Sequence, residues 1–202
     1  MGNGKPTCIV MVRAPYLRQV KTRLEQGVGA KEALRIYRRL VEHQVNEIPN
    51  DWQTVIQFTP SDAEAEMRKW LGEDLIYRRQ IDEELGARLI AAMQTGFTEG
   101  LGPCFVIGSD CPGLCRTVLE RAVGLLDKAD VVIGPAADGG YTLLGLNEPD
   151  PALFRGITWG ISSVLEQTLS RVAEAGLSVS KLPGLEDVDD VGSWERNRHL
   201  LD

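Results

Sequence analysis

The chain has 202 residues, a net charge of −7 and an isoelectric point near 5.0, which excludes a protein that grips nucleic acid or an anionic membrane by diffuse charge. Its 43% hydrophobic and 25% charged residues suit a soluble globule with room for one substantial α/β core. No apolar run approaches the roughly 20 residues needed to span a bilayer, and Met1-Gly2-Asn3-Gly4-Lys5 lacks the apolar core of a secretory leader, so a cytoplasmic location is expected.

Residues 7–12 are continuously apolar or β-prone and read as a first strand. The following segment, 13–24, gathers Arg13, Arg18, Lys21 and Arg23 in a protein that is acidic overall. A cation-rich loop after the first strand of an α/β sheet suits an anion such as a diphosphate; the alternative is a solvated basic loop. Residues 30–48 read as a helix with a stripe of Ala33, Leu34, Tyr37, Leu40, Val41 and Val45. A strand at 52–58 follows, then a short helix capped by Ser61 or Asp62 and running to Leu71. A strand at 75–77 leads to a helix at 84–98, whose buried side is expected to be Leu85, Leu89, Ala92, Met93 and Phe97.

The centre of the chain is the strand 104–107, which ends in Gly108-Ser109-Asp110-Cys111-Pro112-Gly113. Asp110 is thereby placed just beyond a central strand, where open α/β sheets bind ligands. A carboxylate there can hold a divalent cation; the alternative is an ordinary turn or helix cap. A helix at 114–128 follows, with Val118, Ala122, Leu125 and Leu126 inward. The strands 130–134 and 141–146 are joined by Pro135-Ala136-Ala137-Asp138-Gly139-Gly140. That connection is too short for a crossover helix, so the pair is antiparallel or offset. A helix at 164–175, a strand at 177–182, an acidic loop at 183–190 and a helix at 193–201 complete the chain. The alternation predicts a mostly parallel sheet between two helical layers. With no repeat, low-complexity tract or linker, one domain is expected.

Cys8 and Cys104 sit in strand runs and read as small core residues. Cys111 and Cys115 lack zinc-ribbon spacing; a structural role is expected, against the alternative of a reactive Cys111 thiol beside Asp110. The two histidines, His43 and His199, fall in helical segments. A histidine-based triad or zinc site is thereby disfavoured, and metal chemistry must rest on carboxylates. Asp110, Asp138 and Asp187 with Asp189 each follow a strand. In a parallel sheet these loops meet at one edge, where Mg²⁺ or Mn²⁺ and the basic loop would together neutralise a leaving diphosphate. Taken singly, Asp138-Gly139-Gly140 is also a plain turn, and Asp187-Val188-Asp189-Asp190 is also a helix start.

Five segments occur in a familiar order: Val20-Lys21-Thr22-Arg23-Leu24, Gly108-Ser109-Asp110-Cys111-Pro112-Gly113-Leu114, Gly134-Pro135-Ala136-Ala137-Asp138-Gly139-Gly140-Tyr141, Trp159-Gly160-Ile161-Ser162-Ser163-Val164 and Leu182-Pro183-Gly184-Leu185-Glu186-Asp187-Val188-Asp189. Together they resemble a family of small bacterial glycosyltransferases of the GT-A, nucleotide-diphospho-sugar-transferase fold, some linked to arsenosugar synthesis. The resemblance covers nearly the whole chain. It implies a three-layer α/β/α fold, a nucleoside-diphospho-sugar donor, a small-molecule acceptor, Mg²⁺ or Mn²⁺, and neither nucleic acid nor membrane as partner. Asp110 matches the metal- and nucleotide-site aspartate, with Ser109 beside it. Lys21 and Arg23 match the basic pair at the diphosphate, near Arg13. Asp138, Gly139, Gly140 and Tyr141 match the substrate-side loop, and Trp159 joins the substrate contacts. Asp187 and Asp189 match the late acidic motif, a second source of metal ligands. The chain departs from the family in having Leu17-Arg18 where a Pro-Gly turn is usual, and Glu84 and Arg88 in an altered Gly-Asp-Leu-Gly-Glu-Arg segment. The leading expectation is glycosyl transfer with Asp138 as base. The alternatives are nucleotidyl transfer from an NTP with release of pyrophosphate, and a nucleotide-binding protein without turnover.

Overall fold

Strand β1 (Thr7–Arg13) lies inside the sheet, hydrogen-bonded in parallel to β2 (Gln53–Thr59) on one side and β4 (Cys104–Ile107) on the other. In this computed structural model, which describes residues 4–99 and 102–201, seven strands follow the order β3-β2-β1-β4-β6-β5-β7. Strands β3 (Ile76–Arg79) and β7 (Val179–Lys181) are the parallel edges; β6 (Tyr141–Leu146) runs antiparallel to both β4 and β5 (Val131–Pro135). The expected α/β class and the mostly parallel sheet are therefore found, and β6 is the one reversed strand of the seven. Residues 1–3, read above as lacking a leader core, lie outside the described residues. Among the described residues no helix is long and apolar enough to cross a membrane.

The period-two alternation of β1 divides the core. Cys8, Val10 and Val12 face one helical layer, packing with Tyr37 and Val41 of α2 (Ala30–Glu47), Met67 of α3 (Glu64–Leu71), and Leu119 and Ala122 of α5 (Arg116–Leu126). Ile9 faces the other, with Leu89, Ala92 and Met93 of α4 (Leu85–Glu99) and Val172 of α6 (Val164–Glu174). A smaller cluster joins Leu24 of α1 (Thr22–Val28) to Ile36 of α2 and Trp194 of α7 (Val191–Asn197).

Several expectations change. The end of the basic segment is helical: α1 begins at Thr22 because Leu24, fully buried, docks into that third cluster. Helix α3 starts at Glu64 behind Ala63, so neither Ser61 nor Asp62 caps it. In α5 the inward side is Leu119, Ala122 and Leu126, with Val118 and Leu125 only partly buried. A 3₁₀ turn at Pro151–Phe154, capped by Asp150, buries Leu153 and Phe154. The terminal helix begins two residues early, at Val191, because Asp190 and Ser193 form a reciprocal cap; a 3₁₀ turn (Arg198–Leu201) ends it.

Among the described residues two that are not glycine adopt the left-handed conformation, and both lie between β1 and α1: Arg18 at φ 64° and Lys21 at φ 49°. The Arg18 side chain is 78% exposed, and its guanidinium is 3.9 Å from Glu25. Such a loose surface pair contributes little, whereas the left-handed conformation costs a Cβ-bearing residue about 1–2 kcal/mol. Arg18→Gly is expected to raise stability by roughly 0.5–1 kcal/mol after the extra chain entropy of glycine. The urea midpoint measures this, and a lowered midpoint would show that the arginine is held by contacts stronger than its exposure implies.

Candidate functional site

Because six strands share one direction, the loops after β1, β4, β5 and β7 open along one edge, and the reversed β6 starts there. Backbone ties draw them closer. The N–H of Val188 donates to the carbonyl of Asp110 at 2.9 Å, and Leu185 exchanges hydrogen bonds with Pro135 and Ala137. The late acidic loop is thereby stitched across the ends of β4 and β5. On the other side, Gln44 of α2 donates from Nε2 to the carbonyl of Leu114 at 2.9 Å, holding the turn that carries Asp110. Asp110 caps no helix, since α5 begins behind Cys115 without a side-chain cap.

The result is a cleft of about 800 Å³. Arg13, Lys21, Arg23, Ser109, Asp110, Asp138, Gly140, Tyr141, Trp159, Asp187 and Asp189 all line it, so residues more than 160 positions apart are brought together. Gly139 does not line it. At φ 89° it turns the loop beneath the cleft, and its missing side chain leaves the space in which the backbone of Ser162 lies. The turn reading of Asp138 holds as well: Oδ1 accepts from the Gly140 N–H at 2.9 Å, which orients the carboxylate and leaves the other oxygen for a proton.

Lys21 is the charged centre. Its side chain is only 6% exposed, and Nζ donates to Asp110 Oδ2 at 2.5 Å and to Asp189 Oδ1 at 2.9 Å. Burial alone would lower its pKa; the two carboxylates outweigh burial and hold the ammonium above its ordinary value. Arg13 is positioned through its backbone. The Tyr37 hydroxyl accepts from the Arg13 N–H at 3.0 Å and donates to the Arg13 carbonyl at 2.7 Å. Burial, then Asp187 and Asp110, raise the Cys111 thiol well above its usual range, so it is a protonated core residue and no nucleophile. Cys8 and Cys104 are fully buried, as their strand positions required.

Asp187 is the unsatisfied carboxylate of the cleft, where Tyr141 Oη and Trp159 Nε1 are also buried without partners. Its Oδ1 is buried without a hydrogen-bond partner. Burial first, and then the neighbouring Asp110, push its pKa up to about 7, against the pull of Lys21. An orphaned buried carboxylate oxygen beside two further carboxylates fits a hard divalent cation. As the side chains stand, no three His, Cys, Asp or Glu among the described residues converge into a metal-binding group. The ammonium of Lys21 holds Asp110 and Asp189 instead.

Some lining residues escaped the sequence reading. Leu85 was assigned to the buried side of α4; it is 43% exposed at the cleft rim. As the first residue of its helix it extends past the sheet edge, beyond the reach of the core. Ile161, Ser162 and Gln19 also line the cleft. Tyr37 was legible only as part of a helical stripe.

In the free protein Asp187 binds its proton more tightly when folded than when unfolded. Its contribution to stability is fully present below the ordinary carboxylate value of 3.8 and is lost as pH rises toward about 7. Asp187→Asn is expected to flatten that decline and to be the more stable protein at pH 8, by on the order of 1–3 kcal/mol. Urea denaturation in EDTA at stepped pH measures it, and parallel curves for the two proteins would refute a protonated Asp187.

Comparison with known proteins agrees with this architecture. No curated protein matches the chain. Among solved structures it is similar to a candidate nucleotide-diphospho-sugar transferase from Desulfovibrio desulfuricans G20, at 29% identity over 97% of this chain and 96% of that one, with a TM-score of 0.88. It is also similar to the inositol-1-phosphate CTP transferase from T. maritima, at 12% identity, 100% and 96% coverage and a TM-score of 0.61. A third is Rv0371C of Mycobacterium tuberculosis H37Rv in complex with manganese, at 13% identity, 95% and 97% coverage and a TM-score of 0.56. The last two likenesses show the fold, which is that of the nucleotide-diphospho-sugar transferases and nucleotidyltransferases. The matching family covers residues 45–161, more than half of the chain, and the protein belongs to it: DUF2064, described as an uncharacterized protein conserved in bacteria.

Proposed function

We propose that the protein is a metal-dependent glycosyltransferase that moves a sugar from a nucleoside-diphospho-sugar to a small acceptor. The observation that carries this reading is the meeting, in one cleft, of three cations from the end of β1 and the segment that follows with four aspartates from the loops after β4, β5 and β7. Arg13, Lys21 and Arg23 would bind the donor diphosphate, Arg23 and Arg13 from exposed positions and Lys21 on release from its aspartates. Ser109 and Gly140 bring the backbone of β4 and of the Asp138 loop to the cleft wall, and Tyr141 and Trp159 contact substrate from the far side. Asp110, Asp187 and Asp189 would hold Mg²⁺ or Mn²⁺, which would supply positive charge to the departing diphosphate. Rv0371C binds manganese on the same fold, in keeping with this assignment. Asp138, oriented by Gly140, takes the proton of the acceptor hydroxyl as its oxygen bonds to the anomeric carbon. The bond from that carbon to the diphosphate oxygen breaks, and its electrons leave with the nucleotide. The five ordered motifs support an arsenosugar-type member of the superfamily in this proposal, working in the cytoplasm.

The inositol-1-phosphate CTP transferase likeness keeps nucleotidyl transfer as a second reading. The leaving group separates the two: a nucleoside diphosphate for glycosyl transfer, pyrophosphate for nucleotidyl transfer. A thermal-shift panel of nucleotides and nucleotide sugars, with and without Mn²⁺, is expected to single out one donor. A ligand at 100 times its dissociation constant stabilises by about 2.7 kcal/mol. Asp110→Ala is expected to abolish the Mn²⁺-dependent part of donor affinity in calorimetry, and unchanged affinity would refute the assignment.

A further inference from the structure

The cleft has two unlike walls. All three of its cations, Arg13, Lys21 and Arg23, come from the end of β1 and the segment that follows. The opposite wall is apolar and aromatic, formed by Leu85, Tyr141, Trp159 and Ile161. It is one continuous surface. The Trp159 ring meets Tyr141 edge-on, with centroids 6.4 Å apart. Trp159 Nε1 rests against Gly86, where a Cβ would stand 2.7 Å away, so glycine next to Leu85 is what lets the indole settle there. The Ser162 backbone fills the space over Gly139 and ties Ile161 to the loop of Asp138. Leu85 is 43% and Ile161 48% exposed, two of the six large apolar side chains left open to solvent among the described residues. Asp138 stands at the seam between the walls: it lines the cleft, adds its charge to that felt by Asp187, and its loop packs on the Ile161 segment.

A phosphorylated acceptor would meet no lysine or arginine on the wall beside Asp138, and the carboxylate itself would repel it. Apolar contact, in contrast, is favourable in proportion to the area it covers. We propose that the acceptor is an uncharged hydroxyl compound with an apolar, planar body, seated on Leu85, Trp159 and Ile161 with its hydroxyl at Asp138. This rests on the glycosyl-transfer reading above and names its second substrate by class.

The test uses the full chain with Mg²⁺ and the nucleoside diphosphate that the thermal panel selects. The probes are 3-phenylpropanol, a neutral aryl alcohol, and glycerol 3-phosphate, a charged one. The indole N–H resonances of the four tryptophans report binding, with Trp159 assigned through Trp159→Phe. The phenyl alcohol is expected to shift the Trp159 signal, and Ile161→Asp, a change at an exposed position, to weaken its binding at least tenfold while nucleotide affinity stays within twofold. Gly86→Ala, whose methyl meets Trp159 and the Phe154 carbonyl, is expected to move the same signal without ligand. Preference for glycerol 3-phosphate, or phenyl-alcohol binding indifferent to Ile161→Asp, overturns the proposal. Release of pyrophosphate from an NTP would instead overturn the glycosyl-transfer reading, and a nucleotide sugar consumed only with phosphorylated acceptors would leave that reading standing and remove this one.

Discussion

The site depends on one ammonium group. Lys21 Nζ lies between a carboxylate at the end of β4 and another just before α7, so a residue near the beginning of the chain joins its middle to its end. The side chain is almost wholly buried. Removing one partner of a wholly buried pair typically costs about 3–5 kcal/mol, and the water reaching Asp110 and Asp189 lowers that cost here. The backbone of Lys21 carries a second cost in its left-handed conformation. A residue held in an unfavourable backbone conformation, with its charge taken out of water, is in place because its neighbours compensate for both. Those neighbours are the aspartates of the cleft.

The sheet makes that arrangement possible. Parallel strands deliver their following loops to one edge, and the hydrogen bonds of Leu185 and Val188 keep the last acidic loop against β5 and β4. Charge is then sorted across the cleft. Cations enter from the segment after β1, acids collect at its floor, and the far side is closed by the aromatic pair of Tyr141 and Trp159 with Leu85 and Ile161. Burial, and then the surplus of acid over base, raise the pKa of Asp187, whose Oδ1 has no partner. A ligand that brings positive charge would relieve both.

The order of strands and helices was readable in the sequence because β4 and β5 are uninterrupted apolar runs and α2 has a clean stripe. The six-residue gap before Tyr141 left the β5–β6 pair antiparallel or offset, and it is antiparallel. What could not be read was tertiary. Helix α1 has little local signal, and Leu24 becomes its anchor only when Ile36 and Trp194 are present. The same stripe logic that placed Ala92 and Met93 correctly in the core misplaced Leu85, since periodicity does not say where a helix outruns the sheet beneath it. Asp110, Asp138, Asp187 and Asp189 were each equivocal as isolated turns. That Lys21 pairs with two of them was invisible, because 168 residues separate Lys21 from Asp189.

The reversed strand has a further effect. Since β5 leaves the sheet and β6 re-enters it at the same rim, the short segment carrying Asp138 returns to its starting point without crossing a helical layer. Its flanks are fixed by the Ala136–Gly140 hydrogen bond and by Leu165 donating to the Gly139 carbonyl. Such a tether is a natural cassette. Residues between those anchor points can change, and with them the group presented to the cleft, while the layers below go undisturbed.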